Sequence, residues 1–181
     1  MSKNLIKKLE REVKRLKELA FKDELTSLYN RRGFKEEAFK FLNEVIASKR
    51  YRRRKTLFIN NFSLIVFDID NFKKLNDNYG HDAGDLAIKH LGKVISERVR
   101  SIDSVARWGG EEFIVGLVGA SEKDAYVIAA DIRERIEVAK LNWRGRKISM
   151  TLSGGVADLN KAKDFEDLFH SADKALYKAK E

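Results

Sequence analysis

The chain contains no cysteine and no proline. The first absence removes disulfides, thiolate metal centres and cysteine nucleophiles together, and it permits a reducing compartment. The second leaves glycine and capping residues as the punctuation of helices and strands, so element ends are located only to within a few residues. Long apolar runs are lacking as well: none approaches the ~20 residues of a bilayer-spanning helix, and the charged N-terminus has no apolar block of the signal-peptide kind. A soluble, cytoplasmic chain is expected. Internal repeats and low-complexity linkers are also absent.

With 181 residues, 43% of them hydrophobic, the chain can bury one core of ordinary size, which favours a single domain with a short appendage. The 37 basic against 28 acidic residues give a formal charge of +9. That balance suits a polyanionic partner, whether nucleic acid, nucleotide or anionic membrane surface, and does not choose among them.

Ile6, Leu9, Val13, Leu16 and Ala20 recur at alternating spacings of three and four among Lys, Arg and Glu. This is the a/d pattern of a coiled-coil seam, although it is short. Two readings fit it: an amphipathic helix packed on its own domain, or a dimerising stub of a longer signalling helix. A second helix is expected over 31–47. The basic run "SKRYRRRK" that follows reads as an exposed loop, and the scarcity of base-stacking aromatics around it argues against a nucleic-acid surface.

"FSLIVFDID" is a short apolar run, hence a buried strand, that stops at Asp68 and Asp70. Two helices come next, the second over 83–100 with Leu86, His90, Leu91, Val94 and Ile95 on one face. Apolar segments 105–108 and 113–118 flank Gly109, Gly110, Glu111 and Glu112, which reads as a hairpin whose glycines accept positive φ. A helix over 122–139, a strand over 147–156 and a last helix from Phe165 complete the chain. A hairpin requires antiparallel neighbours, so the order predicts an α+β domain with an antiparallel central sheet.

Two adjacent glutamates on an exposed turn gain nothing from packing, and a turn is more usually filled by Asn, Asp or Ser beside glycine. If the first strand lies beside the hairpin, Asp68 is expected to face Glu111. Carboxylates converging there would repel and raise one another's pKa unless a cation sat between them. Oxygen ligands without His or Cys suit magnesium or manganese rather than zinc. Magnesium commonly shares carboxylates with substrate phosphates, so a nucleotide is expected, with Gly109 and Gly110 admitting a close backbone approach to it.

"DELTSLYNRRGF", "DIDNFKKLNDNYGHDAGD" and "RWGGEEF" together closely resemble the GGDEF family of diguanylate cyclases, in a GGEEF form, from about Asp23 to Lys180. The resemblance implies a palm-like nucleotidyl cyclase domain over 22–181, preceded by the N-terminal helix of 1–21. It also implies condensation of two GTP into cyclic di-GMP with release of two pyrophosphates, through two Mg2+ (or Mn2+) ions and across a homodimer. Residue by residue it makes Asp68, Glu111 and Glu112 metal ligands, with Ile69 contributing its carbonyl. Glu111 would also take the ribose 3′-hydroxyl proton. Asn76 and Asp85 would read guanine, with His81 lining the same site. Phe72 by its backbone, Lys73 by its charge and Lys180 would hold phosphates, Lys73 among the catalytic groups. Arg100 and Asp103 match the family's RxxD inhibitory site for cyclic di-GMP. Neither nucleic acid nor membrane is an expected partner.

Ser27 stands where the family usually has glycine, the family's Gly-Arg pair after Lys180 would fall beyond Glu181, and the segment from about 48 to 61 is longer than usual. A noncatalytic cyclic di-GMP receptor and a cyclase making a mixed dinucleotide remain as alternatives. The intact turn disfavours the receptor, and Asp85 at the base-reading position disfavours adenine.

Overall fold

The computed structural model describes residues 3–51 and 61–181. Helices α1 (Lys3–Phe21) and α2 (Arg31–Tyr51) precede β1 (Phe62–Ile69), α3 (Phe72–Tyr79) and α4 (His81–Arg98). Then come β2 (Ser104–Arg107), β3 (Glu112–Val118), α5 (Glu122–Val138), β4 (Leu141–Trp143), β5 (Arg146–Ile148), β6 (Leu152–Asp158) and α6 (Phe165–Lys180). The main sheet has the order β2-β3-β1-β6 with every neighbour antiparallel, which is the sheet that the hairpin required.

Side chains alternate across β1 and β3 with the period of two that a pleated strand imposes. Ile65, Phe67 and Ile69 join Phe113, Val115 and Leu117 under α4 and α5, whereas Leu64, Val66, Ile114 and Val118 pack toward α2 and α6. Helices therefore cover both faces, and the strands read as continuous apolar runs for that reason. The same parity sends Asp68 and Glu112 to the α6 side. Gly155 lets α6 lie directly on β6: a Cβ there would stand 2.0 Å from the Ala172 carbonyl oxygen and 2.3 Å from the Leu176 nitrogen. This contact fixes where the last turn of α6 emerges.

Three sequence expectations need correction. Helix α2 continues through Tyr51, because Lys and Arg are good helix formers despite their charge. The basic run is thus helical over 48–51, and the rest of the proposed loop lies outside the described residues. The strand expected over 147–156 is two strands: β5 pairs with β4 across a turn in which Arg144 and Gly145 have φ of 49° and 78°, and β6 joins the main sheet. Helix α4 begins at His81, two residues before the expected start. His90 does lie on the inner face of that helix, where burial lowers its pKa and Nε2 has no hydrogen-bond partner.

The stripe of α1 is not covered by its own domain. Ile6, Leu9, Val13 and Leu16 are 44–52% exposed, and Leu5 and Leu19 extend the apolar face at 44% and 61%. The foot of the helix, by contrast, is held. Asn30 donates to the Ala20 and Lys22 carbonyls at 3.1 and 3.2 Å, and the Arg32 guanidinium lies over the Phe21 ring.

Ser27 has a φ of 61°, which accounts for the glycine usual at this place. A side chain costs about 1–2 kcal/mol in the left-handed region, against which glycine's extra unfolded-state freedom returns about 0.4–1 kcal/mol. Ser27→Gly is expected to raise the melting midpoint by roughly 2–4 °C. An unchanged midpoint in a thermal melt would refute that accounting.

Candidate active site

The end of β1 meets the start of β3, with Asp68 directly opposite Glu112 in the antiparallel register. Opposed residues present their side chains on one face within contact range. The expected partner of Asp68 was Glu111; the structure puts Glu111 in the turn, one residue earlier. That turn closes as the Trp108 amide donates to the Glu112 carbonyl at 2.8 Å and the Gly109 amide to the same oxygen at 3.4 Å. Neither Gly109 nor Gly110 has positive φ, so the turn uses their small size instead. A Cβ on Gly109 would lie 2.7 Å from the Glu112 carboxylate, whereas one on Gly110 would meet nothing within 4 Å.

Burial pushes the Glu112 carboxyl up, and the neighbouring Asp68, Asp173 and Glu111 carboxylates push it further; Lys180 opposes them. Asp173, on α6, carried no signal in the sequence beyond its charge. Lys180 closes the cluster from the same helix with Nζ 2.6 Å from Asp68 Oδ1. Such an excess of half-buried oxygen ligands fits a hard divalent cation. Among the described residues no three carboxylate or imidazole groups are already gathered to hold an ion unaided, so phosphate oxygens would have to complete the coordination. Asp70, the second aspartate of the strand end, is engaged elsewhere: Thr151 and Ser153 hydroxyls donate to it at 2.7 and 2.6 Å.

Beyond Ile69, α3 opens with Asn71 in the left-handed conformation and without a side-chain cap. The amides of its first turn, from Phe72 and Lys73 onward, are therefore available to an anion. Lys73 is exposed in that turn and Phe72 is half-buried. Asn76 lies one turn further on, with its Oδ1 buried and without a hydrogen-bond partner. It approaches α4 at Gly84, and His81 and Asp85 stand exposed on the same first turns of α4. The predicted base-reading residues Asn76, His81 and Asp85 thus lie with Phe72 and Lys73 on α3 and α4, directly after the strand end that carries Asp68, while Lys180 reaches Asp68 from α6.

One residue that sequence reasoning passed over ties the turn down. Arg107, the last residue of β2, donates through Nε and Nη2 to the Gly110 carbonyl at 2.9 and 2.8 Å. Its Nη1 donates to Asp23 Oδ2 at 3.2 Å, while Asp23 Oδ1 accepts from the Thr26 amide and hydroxyl. Tyr29 bridges alongside Ala106 in the next strand position. The segment after α1 is in this way bolted to the carboxylate turn. Trp108 packs against Phe34, Phe165 and Phe169, with the Arg31 guanidinium 4.6 Å above its ring.

Arg100 and Asp103 lie between α4 and β2. The Asp103 side chain is 1% exposed and that of Arg100 63%. Asp103 accepts from the Arg100 amide and guanidinium and from the Val118 amide, and Arg100 also donates to the Val118 carbonyl at 2.8 Å. The aspartate is thus occupied in holding the arginine, and the arginine is what solvent meets.

Comparison with known proteins agrees with this geometry. Residues 20–181 match the family model described as "Diguanylate cyclase, GGDEF domain". "Diguanylate cyclase A" of Treponema denticola is 41% identical over 120 residues, 66% of this chain and 32% of that protein. "Diguanylate cyclase DgcP" of Pseudomonas aeruginosa is 35% identical over 161 residues, 89% of this chain and 22% of that protein. The chain therefore spans a third or less of the length of these relatives. The crystal structure of the coiled coil and GGDEF domain of DgcB from Caulobacter crescentus, in complex with c-di-GMP, superposes with a TM-score of 0.86 at 26% identity, covering 98% of this chain and 89% of that one. Three sequence blocks in order, the strand register that joins two of them and a match over nearly the whole domain place this chain in the GGDEF family.

Proposed function

We propose that this chain is a diguanylate cyclase that condenses two GTP into cyclic di-GMP and two pyrophosphates. The observation that carries the reading is the register of Asp68 with Glu112, beside a turn that adds Glu111 and beside the α3 and α4 residues suited to a guanine nucleotide. Asp85 offers a carboxylate to the two adjacent N–H donors of guanine, and Asn76 has unspent amide capacity for the same base. His81 lines this pocket. The first-turn amides of α3, starting at Phe72, together with Lys73 and Lys180, hold the phosphates. Gly109 and Gly110 let the nucleotide approach the turn.

Asp68, Glu112, Glu111 and the Ile69 carbonyl are the groups that would hold Mg2+ or Mn2+, which supplies charge neutralisation on the phosphates and activation of the attacking hydroxyl. Glu111 accepts the proton of the ribose 3′-hydroxyl. The freed oxygen forms a bond to the α-phosphorus of the other GTP, and the bond from that phosphorus to the pyrophosphate oxygen breaks. Two such steps close the ring. One domain cannot present both nucleotides in line, so two domains face each other, each with one GTP. The exposed apolar stripe of α1 supports a homodimer as the means of bringing them together. Arg100, held outward by Asp103, suits recognition of a phosphate or guanine face of the product and hence product inhibition.

The reading is tested by incubating the purified chain with GTP and Mg2+ beside Glu111→Ala and identifying the products by chromatography and mass. Cyclic di-GMP from the parent alone is the expected result. A parent that binds cyclic di-GMP tightly and makes none would be a receptor.

The guanine pocket yields its own prediction. Glycine costs about 1 kcal/mol in a helix, yet α4 carries one at Gly84, where a Cβ would stand 2.0 Å from Asn76 Oδ1 and 3.0 Å from the Phe72 ring. Gly84→Ala pushes Asn76 aside, and KM for GTP is expected to rise roughly 10-fold or more, as one lost base contact of ~1–3 kcal/mol requires. Initial-rate kinetics across GTP concentrations decide it: a KM within twofold of the parent would remove Asn76 from base recognition.

A further inference from the structure

Lys180 has a place in the cluster that phosphate binding alone does not explain. Its Nζ lies 2.6 Å from Asp68 Oδ1, and the Asp68 side chain is only 13% exposed. The same ammonium acts on Glu112, so one cation serves both of the opposed carboxylates. Its position is not adjustable by sliding the helix, because the backbone of α6 at Ala172 and Leu176 already touches β6 at Gly155.

A magnesium or manganese ion bound to Asp68 would sit ~2.0–2.2 Å from a carboxylate oxygen. The ammonium would then be a few ångströms from a doubly charged cation in a partly buried site, where like charges are poorly screened. A bare metal ion must therefore displace the lysine, with no anion to receive it. A metal ion that arrives on a nucleoside triphosphate brings phosphate oxygens, and the displaced ammonium can pair with them.

We infer that Lys180 is a gate for the metal: by pairing with Asp68 it makes the site take a divalent cation as the metal–nucleotide complex and disfavour the cation alone. The inference rests on the cyclase reading for the identity of the nucleotide. Metal and nucleotide then bind with positive coupling, and the lysine is one source of that coupling. A lysine serving only the phosphates would strengthen nucleotide binding and leave metal affinity untouched. A lysine serving only the fold would, on removal, weaken both.

The test is a titration of the full chain with Mn2+ in the absence of nucleotide, followed by electron paramagnetic resonance of the free ion up to 10 mM. The parent, Lys180→Met and Asp68→Asn are compared, with thermal midpoints to verify folding. Lys180→Met keeps most of the stem and removes the charge. It is expected to bind Mn2+ alone at least about fivefold more tightly than the parent, the low end of a coupling between sites, with Asp68→Asn as the baseline. In a second titration, Mn2+ with the α,β-methylene analogue of GTP is expected to bind Lys180→Met about 10-fold more weakly. Mn2+ affinity in Lys180→Met equal to or below the parent's, including no binding above the Asp68→Asn baseline, overturns the gate. Failure of the parent to bind the guanine analogue would instead count against the cyclase reading, and the nucleotide-free titration would still decide the lysine's role.

Discussion

Glu112→Gln will melt higher than the parent in metal-free buffer at neutral pH while losing roughly 10²–10³-fold in cyclase activity, the loss typical of removing one strong electrostatic contact to a transition state. The stability half of the prediction follows from the direction of the Glu112 shift. Burial and then Asp68, Asp173 and Glu111 raise its folded pKa. Between the ordinary carboxyl value and the raised one, the folded chain holds the proton that the unfolded chain has released, so parent stability falls as pH rises through that window. Above the raised value the penalty is complete; well below the ordinary carboxyl range it vanishes. Gln carries no charge and escapes it. Glu112 is partly exposed and screened, so the gain is at most about 1 kcal/mol, or 2–4 °C in a chain of this size.

The two melting curves should converge as pH is lowered into the carboxyl range in EDTA. Added Mg2+ together with the α,β-methylene analogue of GTP should reverse the order at neutral pH, because a ligand of the folded state stabilises the protein that binds it. A variant that melts below the parent in EDTA at pH 7 would mean that Glu112 is not repelled in the metal-free protein, and the argument for a cation at this place would lose its electrostatic basis.

What the sequence disclosed and what it hid divide along the range of the signals. "FSLIVFDID" announces a buried strand because both its faces are covered, and its abrupt end marks the carboxylates. The nucleotide-side residues of α3 and α4 crowd into one stretch of 14 positions, Phe72 to Asp85, which a helix, a glycine turn and a second helix fold back on themselves. The partner of Asp68, however, depends on strand register. A slip of one residue moves every side chain to the other face, and the register is set by how the turn closes on Glu112 rather than by any residue type. The β4-β5 hairpin escaped for a related reason: its Arg144-Gly145 turn lacks the Asn or Asp that usually signals such a loop. Arg100 and Asp103 were legible as a pair, but not that the aspartate's hydrogen bonds are consumed within the protein. Asp173 and Arg107 reach the site from distant segments, and Arg107 meets Asp23 across 84 residues. No local pattern marks such a meeting.

Arg107 is the residue whose loss should separate positioning from binding most clearly. Arg107→Ala removes two hydrogen bonds to the Gly110 carbonyl and the ion pair to Asp23, at side-chain exposures of 20% and 19%. It leaves Asn76, His81 and Asp85 on α3 and α4 untouched. The carboxylates of the turn would then wander by fractions of an ångström to about an ångström, which can cost roughly 10²-fold in rate. We expect kcat to fall by about that factor and KM for GTP to change less than threefold. Arg107→Lys should recover only part of the rate, since a single ammonium cannot reproduce a fork that grips one carbonyl twice and a carboxylate besides. Asp23→Asn should be milder than either, because it spares both bonds to Gly110 while loosening the tie to the foot of α1. Thermal midpoints measured alongside would expose simple unfolding. If KM rose in step with the loss of kcat, or if Asp23→Asn proved as damaging as Arg107→Ala, the clamp on the turn would not be what Arg107 contributes. The ordering expected instead places the rate of the reaction under the control of a contact that begins where the N-terminal helix ends, and this gives that helix a physical route to the carboxylates.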